Sequence, residues 1–250
     1  MFYTPEASRG WQVHKVYEGS DSAQVFEQMA SDADAPGESD IGIRNLIYTH
    51  VINLRPKRVL EIGSHIGNSA LVIGSALKKN DYGKLLSLEP SAHYAEKARR
   101  YAAQANLSDW VEIIPSYSTD EFTRERLRHE APFQVVFIDA SHEYAHALAD
   151  IELSAELLAD NGVIVLHDVG RASNDMDPTR RGGVRQALHD FCAGHNQFRC
   201  IYYEHPLWLN PCGAALLVKE LLDPAIPQPH QNPNTAPTRR AGLLRRLMGG

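Results

Sequence analysis

The stretch RVLEIGSHIGNSALVIGSA, residues 58–76, decides the fold of this chain. It opens with an apolar run, breaks at Gly63 and Gly67, and then repeats apolar residues at helical spacing from Ala70 onward. This order predicts a strand, a glycine loop and a helix. In a parallel α/β sheet, ligands bind outside the carboxyl ends of the strands, where such a loop meets the helix N-terminus. The G-x-x-x-G spacing differs from the G-x-G-x-x-G of dinucleotide-binding loops, which argues against a pyrophosphate cradle.

Two later strand ends carry acidic residues. The segment LLSLEPS ends a predicted strand at Glu89, and FIDASHEY ends another at Asp139. Together with the glycine loop, these segments resemble the class I S-adenosylmethionine-dependent methyltransferases. Within that class, the nearest likeness is to small-molecule O-methyltransferases that act on catechols and on sugars of natural products. The resemblance covers most of the chain, from about Ser39 to Lys219.

Strands and helices alternate through this region. Strands are predicted at 84–88, 110–114, 133–138 and 163–166, and helices at 91–104, 119–129 and 144–158. This rhythm predicts an α/β fold, a Rossmann-like three-layer sandwich around a mostly parallel seven-stranded sheet. The strands 198–203 and 214–218 are joined by a segment too short for a helical crossover, so they predict an antiparallel C-terminal hairpin.

Three local signals predict element boundaries. Ser39 is predicted as the N-cap of the helix that precedes the glycine-loop strand. The sequence Ser118-Thr-Asp-Glu121 predicts a capping box. Asn161-Gly162 is predicted to stop the helix that follows Asp139.

Composition limits the class of protein. The 250 residues, 43% hydrophobic and 22% charged, suffice for one sizeable α/β core. A formal net charge of -6 argues against a nucleic-acid binder. Three cysteines without C-x-x-C spacing are typical of free thiols in a reducing compartment. Because no signal-like or bilayer-length apolar run is present, we expect a cytoplasmic location.

The chain divides into three predicted regions. Residues 1–38 form an N-terminal extension, which is either a substrate lid or a surface segment. Residues 39–220 form the methyltransferase-like domain. Residues 221–250 are rich in Pro, Asn and Gln at first and predict a disordered tail, whose basic end is either inert or a contact for a membrane or partner. The oligomeric state stays open, a homo-oligomer included.

The resemblance implies a site for S-adenosylmethionine. Glu89 would bind the ribose hydroxyls, although a charge at a helix N-terminus is the alternative role. Glu61 would face the methionine amino group. A surface carboxylate is the alternative role, but Glu61 lies inside an apolar strand, where an unpaired charge is costly. The remaining implied cofactor contacts are Gly63, Ser64, Gly67 and Ser69 in the glycine loop, Ser116 and Tyr117 at the adenine, and Asp139.

A divalent metal site, for Mg²⁺ or Mn²⁺, is implied by Asp139, His167 and Asp168. If their strands are neighbours, about 4.8 Å apart, the side chains can converge on one cation. The family places acidic or amide residues in these positions, whereas this chain has His167. An imidazole favours Mn²⁺, Fe²⁺ or Zn²⁺ over Mg²⁺, or else leaves the metal's coordination shell. The alternative role for Asp139 is to cap the next helix.

His142, three residues after Asp139, is the predicted general base, with Asp139 as the second catalytic residue. A solvated histidine at a helix start is the alternative. The segment His142-Glu-Tyr-Ala-His146 is also a literal H-E-x-x-H zinc-protease string. Its first histidine falls directly after a predicted buried strand, which disfavours that interpretation.

These features predict transfer of a methyl group from S-adenosylmethionine to a hydroxyl of a small molecule, such as a sugar or a catechol-like ring. The sulfonium already activates the methyl group, so the protein must align the reactants and deprotonate the acceptor. A non-catalytic nucleoside-binding or scaffold protein of the same fold is the alternative. A nicotinamide oxidoreductase is disfavoured by the glycine spacing and by the terminal hairpin.

Overall fold

The structure is a computed structural model that describes residues 15, 22–37, 39–203 and 212–219. The predicted tail, 221–250, lies outside the described residues, as does most of 1–21. The division of the chain into three regions therefore stays a prediction. In the described part of the chain, no helix has the length and apolar character needed to cross a bilayer.

The described elements follow the predicted alternation. The strands are β1 (Arg58–Ile62), β2 (Lys84–Leu88), β3 (Val111–Ile114), β4 (Phe133–Ile138), β5 (Leu158–His167), β6 (Phe198–Tyr203) and β7 (Ala214–Lys219). The helices are α1 (Ala23–Ala30), α2 (Ile41–Leu54), α3 (Asn68–Asn80), α4 (Ala92–Gln104), α5 (Glu121–Glu130), α6 (Tyr144–Leu157) and α7 (Gly183–Gly194). A short 3₁₀ helix spans Arg171–Met176.

The strands form one seven-stranded sheet in the order β3-β2-β1-β4-β5-β7-β6. Strands β1 to β5 pair in parallel, whereas β7 runs antiparallel to both β5 and β6. The predicted mostly parallel sheet with a C-terminal antiparallel hairpin is confirmed. The order reverses at β1, so the ends of β1, β2 and β4 meet at the point where ligands bind in such sheets.

Both faces of the sheet are buried. Val135 and Phe137 of β4 belong to the apolar cluster on one face, and Val136 and Ile138 belong to the cluster on the other. A strand that is covered on both faces needs an uninterrupted apolar run, as FQVVFI provides. This central position holds the end of β4, and hence Asp139, in a rigid setting.

The described part of the N-terminal extension packs on α4. Phe26 and Met29 of α1 are buried in the core. Asp32, just after α1, pairs with Lys97 and accepts a hydrogen bond from the Tyr101 hydroxyl. Gly37 lines the cavity described below, so the extension reaches it. A lid role for this segment stays a prediction.

Three boundary predictions were wrong. The cap of α2 is Asp40, one residue after Ser39, because its carboxylate accepts from the Ile43 N–H. The Ser118 hydroxyl donates to Asp150, so it does not cap α5, which begins at Glu121. The predicted stop at Asn161-Gly162 lies inside β5, since a register irregularity against β4 absorbs these residues into the strand.

Candidate active site

A cavity of about 760 Å³ opens at the carboxyl ends of the central strands. Its walls come from the loops after β1, β2, β3, β4 and β5, together with the first half of α6. Volumes of this size are typical of small-molecule and cofactor sites. The predicted site residues that line it are Gly63, Glu89, Ser116, Tyr117, Asp139, His142, His167 and Asp168.

Glu89 is held rigidly on the β2 side of the cavity. Its Oε2 accepts from the His65 N–H at 2.7 Å, and its Oε1 accepts from the Ser91 N–H at 2.9 Å. The side chain of Ser91, not that of Glu89, caps α4. A buried, doubly anchored carboxylate at this place retains lone pairs for the hydroxyls of a ligand.

The two glycines of the loop have different tasks. Gly63 has φ +91°, and a Cβ built on it would lie 2.1 Å from the Asp139 carbonyl oxygen. Gly63 thus lets the loops after β1 and β4 touch beside the cavity. Gly67 has φ +99°, and its added Cβ would lie 2.9 Å from Ala98 Cβ, so α4 imposes the need for glycine there. A close approach to a ligand does not explain Gly67.

Glu61 is fully buried behind the loop and is not among the described residues that line the cavity. The Ser87 hydroxyl donates to its Oε2, while its Oε1 has no partner. Burial raises the pKa of Glu61 to about 7, against the lowering effect of Ser69 and Ser87. Ser64 is also buried, with an unpartnered Oγ. Because neither residue lines the cavity, the contact of Glu61 with the methionine amino group and that of Ser64 with the cofactor stay predictions.

Ser116 and Tyr117 lie in the loop after β3, as predicted, but their side chains are not buried. The Ser116 hydroxyl donates to Asp120 at 2.7 Å and contacts Thr123. Tyr117 is 62% exposed. These residues form an open wall of the cavity, which leaves the adenine role of their side chains a prediction.

Asp150 is a cavity residue that sequence reasoning missed. It lies on α6, is 4% exposed, and accepts from the Ser118 hydroxyl. Burial raises its pKa to about 6. The signal was present, because Asp150 shares helical spacing with Ala147, Ile151 and Ser154 on the buried face of α6.

The three predicted metal ligands converge. Ile138 pairs with Leu166, so Asp139 and His167 follow at adjacent strand ends. His167 Nδ1 lies 3.1 Å from Asp139 Oδ1 and 3.3 Å from Asp168 Oδ2, and one ligand atom from each residue falls within 4.8 Å of the others. Two carboxylates and one imidazole form a set that suits Mn²⁺, Fe²⁺ or Zn²⁺ better than Mg²⁺. The residues therefore fit a divalent cation.

The charges of this cluster are strongly coupled. Burial favours the neutral imidazole, but the carboxylates around His167 outweigh it and raise its pKa well above the ordinary value. Burial likewise opposes ionisation of Asp168, yet hydrogen bonds from His142 and His167 hold its pKa well below the usual range. The carboxylates around His167 thus favour the charged form of its imidazole.

His142 contacts the same cluster from the cavity side. Its Nε2 lies 2.8 Å from Asp168 Oδ2, and this hydrogen bond raises the pKa of the imidazole. The H-E-x-x-H string does not form a helical metal pair, because α6 begins only at Tyr144. His142 points at Asp168, whereas His146 Nδ1 lies 3.1 Å from the Ser141 hydroxyl. The zinc-protease interpretation thus has no geometric support among the described residues.

Comparison with known proteins agrees with this geometry. Residues 60–169 match a family model described as a methyltransferase domain. Catechol O-methyltransferase B from Danio rerio is 33% identical over 121 residues, which cover 47% of this chain and 44% of the relative. Catechol O-methyltransferase from Mycobacterium tuberculosis is 33% identical over 118 residues, which cover 47% of this chain and 50% of the relative. The chain thus spans about half the length of the curated relatives it matches.

The fold likeness extends further along the chain. The solved structure of an O-methyltransferase from Bacillus cereus in complex with SAH has a TM-score of 0.68 at 20% identity, covering 86% of this chain and 96% of that one. At this identity the likeness concerns the fold. Residues 60–169 thus match a methyltransferase domain model, and the chain has the fold of the solved O-methyltransferase structure.

Proposed function

We propose that this protein transfers a methyl group from S-adenosylmethionine to a hydroxyl of a small molecule, assisted by a divalent cation. One observation carries the proposal. A single cavity has the anchored carboxylate of Glu89 on its β2 side and the cluster of Asp139, His167, Asp168 and His142 on its β4–β5 side. The two relatives named catechol O-methyltransferases support a hydroxyl as acceptor.

The residues of the chain divide the work. Bound S-adenosylmethionine would supply a methyl group activated by its sulfonium, and a bound cation would lower the pKa of the acceptor hydroxyl. Glu89 would accept hydrogen bonds from the ribose hydroxyls and so orient the donor. Asp139, His167 and Asp168 would hold the cation beside the donor site. Alignment of the two reactants is the main contribution of such a site.

His142 would act as the general base for the acceptor hydroxyl. Its Nε2 is engaged by Asp168, so the ring is oriented and Nδ1 remains for the substrate proton. Histidine is the side chain used most often as a general base near neutral pH. Met176 and Cys212 also line the cavity and would offer an acceptor apolar contact surface.

A methyl-transfer assay tests the proposal. The protein is incubated with methyl-labelled S-adenosylmethionine and either a catechol or a hydroxylated sugar, in Mn²⁺, in Mg²⁺ and in excess EDTA. We expect labelled product with at least one acceptor in Mn²⁺, less in Mg²⁺, and a loss in EDTA. Transfer that is unchanged in EDTA would remove the cation from the proposal. Binding of S-adenosylmethionine without transfer to any acceptor would favour a non-catalytic nucleoside-binding protein.

A cytoplasmic location and a small hydroxylated partner accompany this proposal. Neither a homo-oligomer nor a membrane contact of the tail is part of it.

A further inference from the structure

Two buried polar atoms that lack a hydrogen-bond partner face each other beside the candidate metal site. They are Nε2 of His167 and Oδ2 of Asp40, which lie 3.7 Å apart. The side chain of His167 is 5% exposed, and that of Asp40 is 13% exposed. Leaving such atoms unpaired away from water is costly. The absence of a hydrogen bond between these two atoms therefore needs an explanation.

The two carboxylate oxygens of Asp40 have different contacts. Its Oδ1 accepts from the Ile43 N–H at 3.0 Å and caps α2. The cap anchors the side chain to the start of α2, and Oδ2 lies on the side of His167. The other nitrogen of the same ring, Nδ1, lies between Asp139 and Asp168. The imidazole is therefore placed between an outer carboxylate and the proposed cation position.

We propose that Asp40 is a positioning residue of the metal site, which keeps the imidazole proton of His167 on Nε2 and thereby leaves the Nδ1 lone pair free to bind the cation. A carboxylate behind a ligating histidine fixes its tautomer and its orientation and increases its strength as a ligand. The inference rests on the cation assistance in the proposed function. It extends that proposal by making His167 a ligand through Nδ1, with a preference for Mn²⁺, Co²⁺ or Zn²⁺ over Mg²⁺.

Two substitutions separate this role from the helix cap. Asp40→Asn and Asp40→Ser both keep a good N-cap for α2. In Asp40→Asn, the amide oxygen would cap the helix and the NH₂ group would face Nε2. That donor favours the tautomer with its proton on Nδ1, which cannot bind a metal there. Asp40→Ser caps the helix but is too short to reach the ring. Asp160→Asn, at an exposed carboxylate that pairs with Lys219, is the control for the loss of one negative charge.

The experiment combines metal titration with NMR on the full-length protein. Calorimetry with Mn²⁺ should give a Kd that is about 10 to 100 times weaker in Asp40→Asn and Asp40→Ser than in the wild type, and unchanged in Asp160→Asn. Imidazole ¹⁵N spectra of the Zn²⁺-loaded wild type should show His167 protonated at Nε2 and coordinated through Nδ1. Thermal unfolding of each variant checks that the fold is retained.

The contrary outcomes are distinct. Wild-type affinity for Mn²⁺ in both Asp40 variants, or coordination of His167 through Nε2, would overturn the role of Asp40 while the cation site stands. Absence of Mn²⁺ and Zn²⁺ binding in the wild type would overturn the cation site and this inference together. Methyl transfer from S-adenosylmethionine would then be judged by the assay above, independently of the metal.

Discussion

The carboxylates that line the cavity differ in their pKa values because their hydrogen-bond partners and their burial differ. Glu89 accepts from two backbone N–H groups, Asp168 from two imidazoles, and Asp150 from one hydroxyl. The pKa of Asp168 is held low by the two histidines, whereas burial raises that of Asp150 to about 6. The same type of residue thus provides a permanent negative charge in one place and a titratable group in another.

His142 should control the rate of methyl transfer. His142→Gln is expected to lower kcat by about 10² to 10⁴ and to leave the affinity for S-adenosylmethionine within a few-fold, because the base acts on the acceptor and not on the donor. The measurement is the labelled-methyl assay with the best acceptor, paired with calorimetry. Glu143→Gln is the matched control from the H-E-x-x-H string, and its rate should be unchanged. A complete loss in Glu143→Gln with normal rates in His142→Gln would contradict the assigned roles.

Asp150 should make stability depend on pH. Its folded pKa, about 6, exceeds the ordinary value of 3.8, so the folded state binds more protons between these values. The contribution of Asp150 to stability therefore falls as pH rises through this window, by up to about 3 kcal/mol. Asp150→Asn keeps an acceptor for the Ser118 hydroxyl and removes the titration. Its unfolding free energy should match the wild type near about pH 4 and exceed it above about pH 7.

Urea unfolding at several pH values measures this difference. Asp109→Asn, at an exposed carboxylate, serves as the control and should follow the wild type at every pH. A constant difference between Asp150→Asn and the wild type across the pH range would show that burial does not shift the Asp150 carboxyl.

Among the elements, β1 and β4 must approach closely for the site to form. The Gly63 N–H donates to the Leu88 carbonyl, and the Asp139 N–H donates to the Ile62 carbonyl, so the loop is bound to the ends of β2 and β4. Close packing at this junction brings the Glu89 side and the Asp139 side of the cavity together.

A side chain at Gly63 should disrupt this junction. In Gly63→Ala the new Cβ would fall 2.1 Å from the Asp139 carbonyl oxygen, at a φ of +91°. We expect a loss of about 2 kcal/mol or more in unfolding free energy, because backbone must move and the left-handed conformation is strained. Gly194→Ala, where nothing lies within 4 Å of the added Cβ, should change stability by less than about 1 kcal/mol. Equal effects of the two substitutions in urea unfolding would refute the packing explanation.

The elements were largely predictable because their signals are local. The run FQVVFI predicts a buried strand, and the helical spacing in α6 predicts its apolar face. The boundary errors arose where a distant partner decided the outcome. Ser118 fits a capping box locally, but Asp150 in the structure takes its hydroxyl. Asn161-Gly162 fits a helix stop, but pairing with β4 extends the strand through it.

In the molecule as a whole, the site was predictable where strand ends supply it. Asp139, His167 and Asp168 converge because β4 and β5 are neighbours. This could be expected, since the carboxyl ends of neighbouring parallel strands lie at the same edge of the sheet. Asp40 was missed because its contact with His167 joins residues far apart in sequence, and no local pattern marks it. Asp150 could have been found, since a carboxylate on an otherwise buried helix face is a recognisable signal.

The proposed function requires that S-adenosylmethionine binds at the ends of β1 and β2, with Glu89 at its ribose. Calorimetric titration of wild type, Glu89→Gln and the control Glu96→Gln, at an exposed carboxylate on α4, tests it most directly. We expect one-site binding to the wild type and to Glu96→Gln, with a Kd about 10 to 100 times weaker in Glu89→Gln, because hydrogen bonds to a charged acceptor are lost. No binding to the wild type, or equal binding to all three proteins, would contradict it.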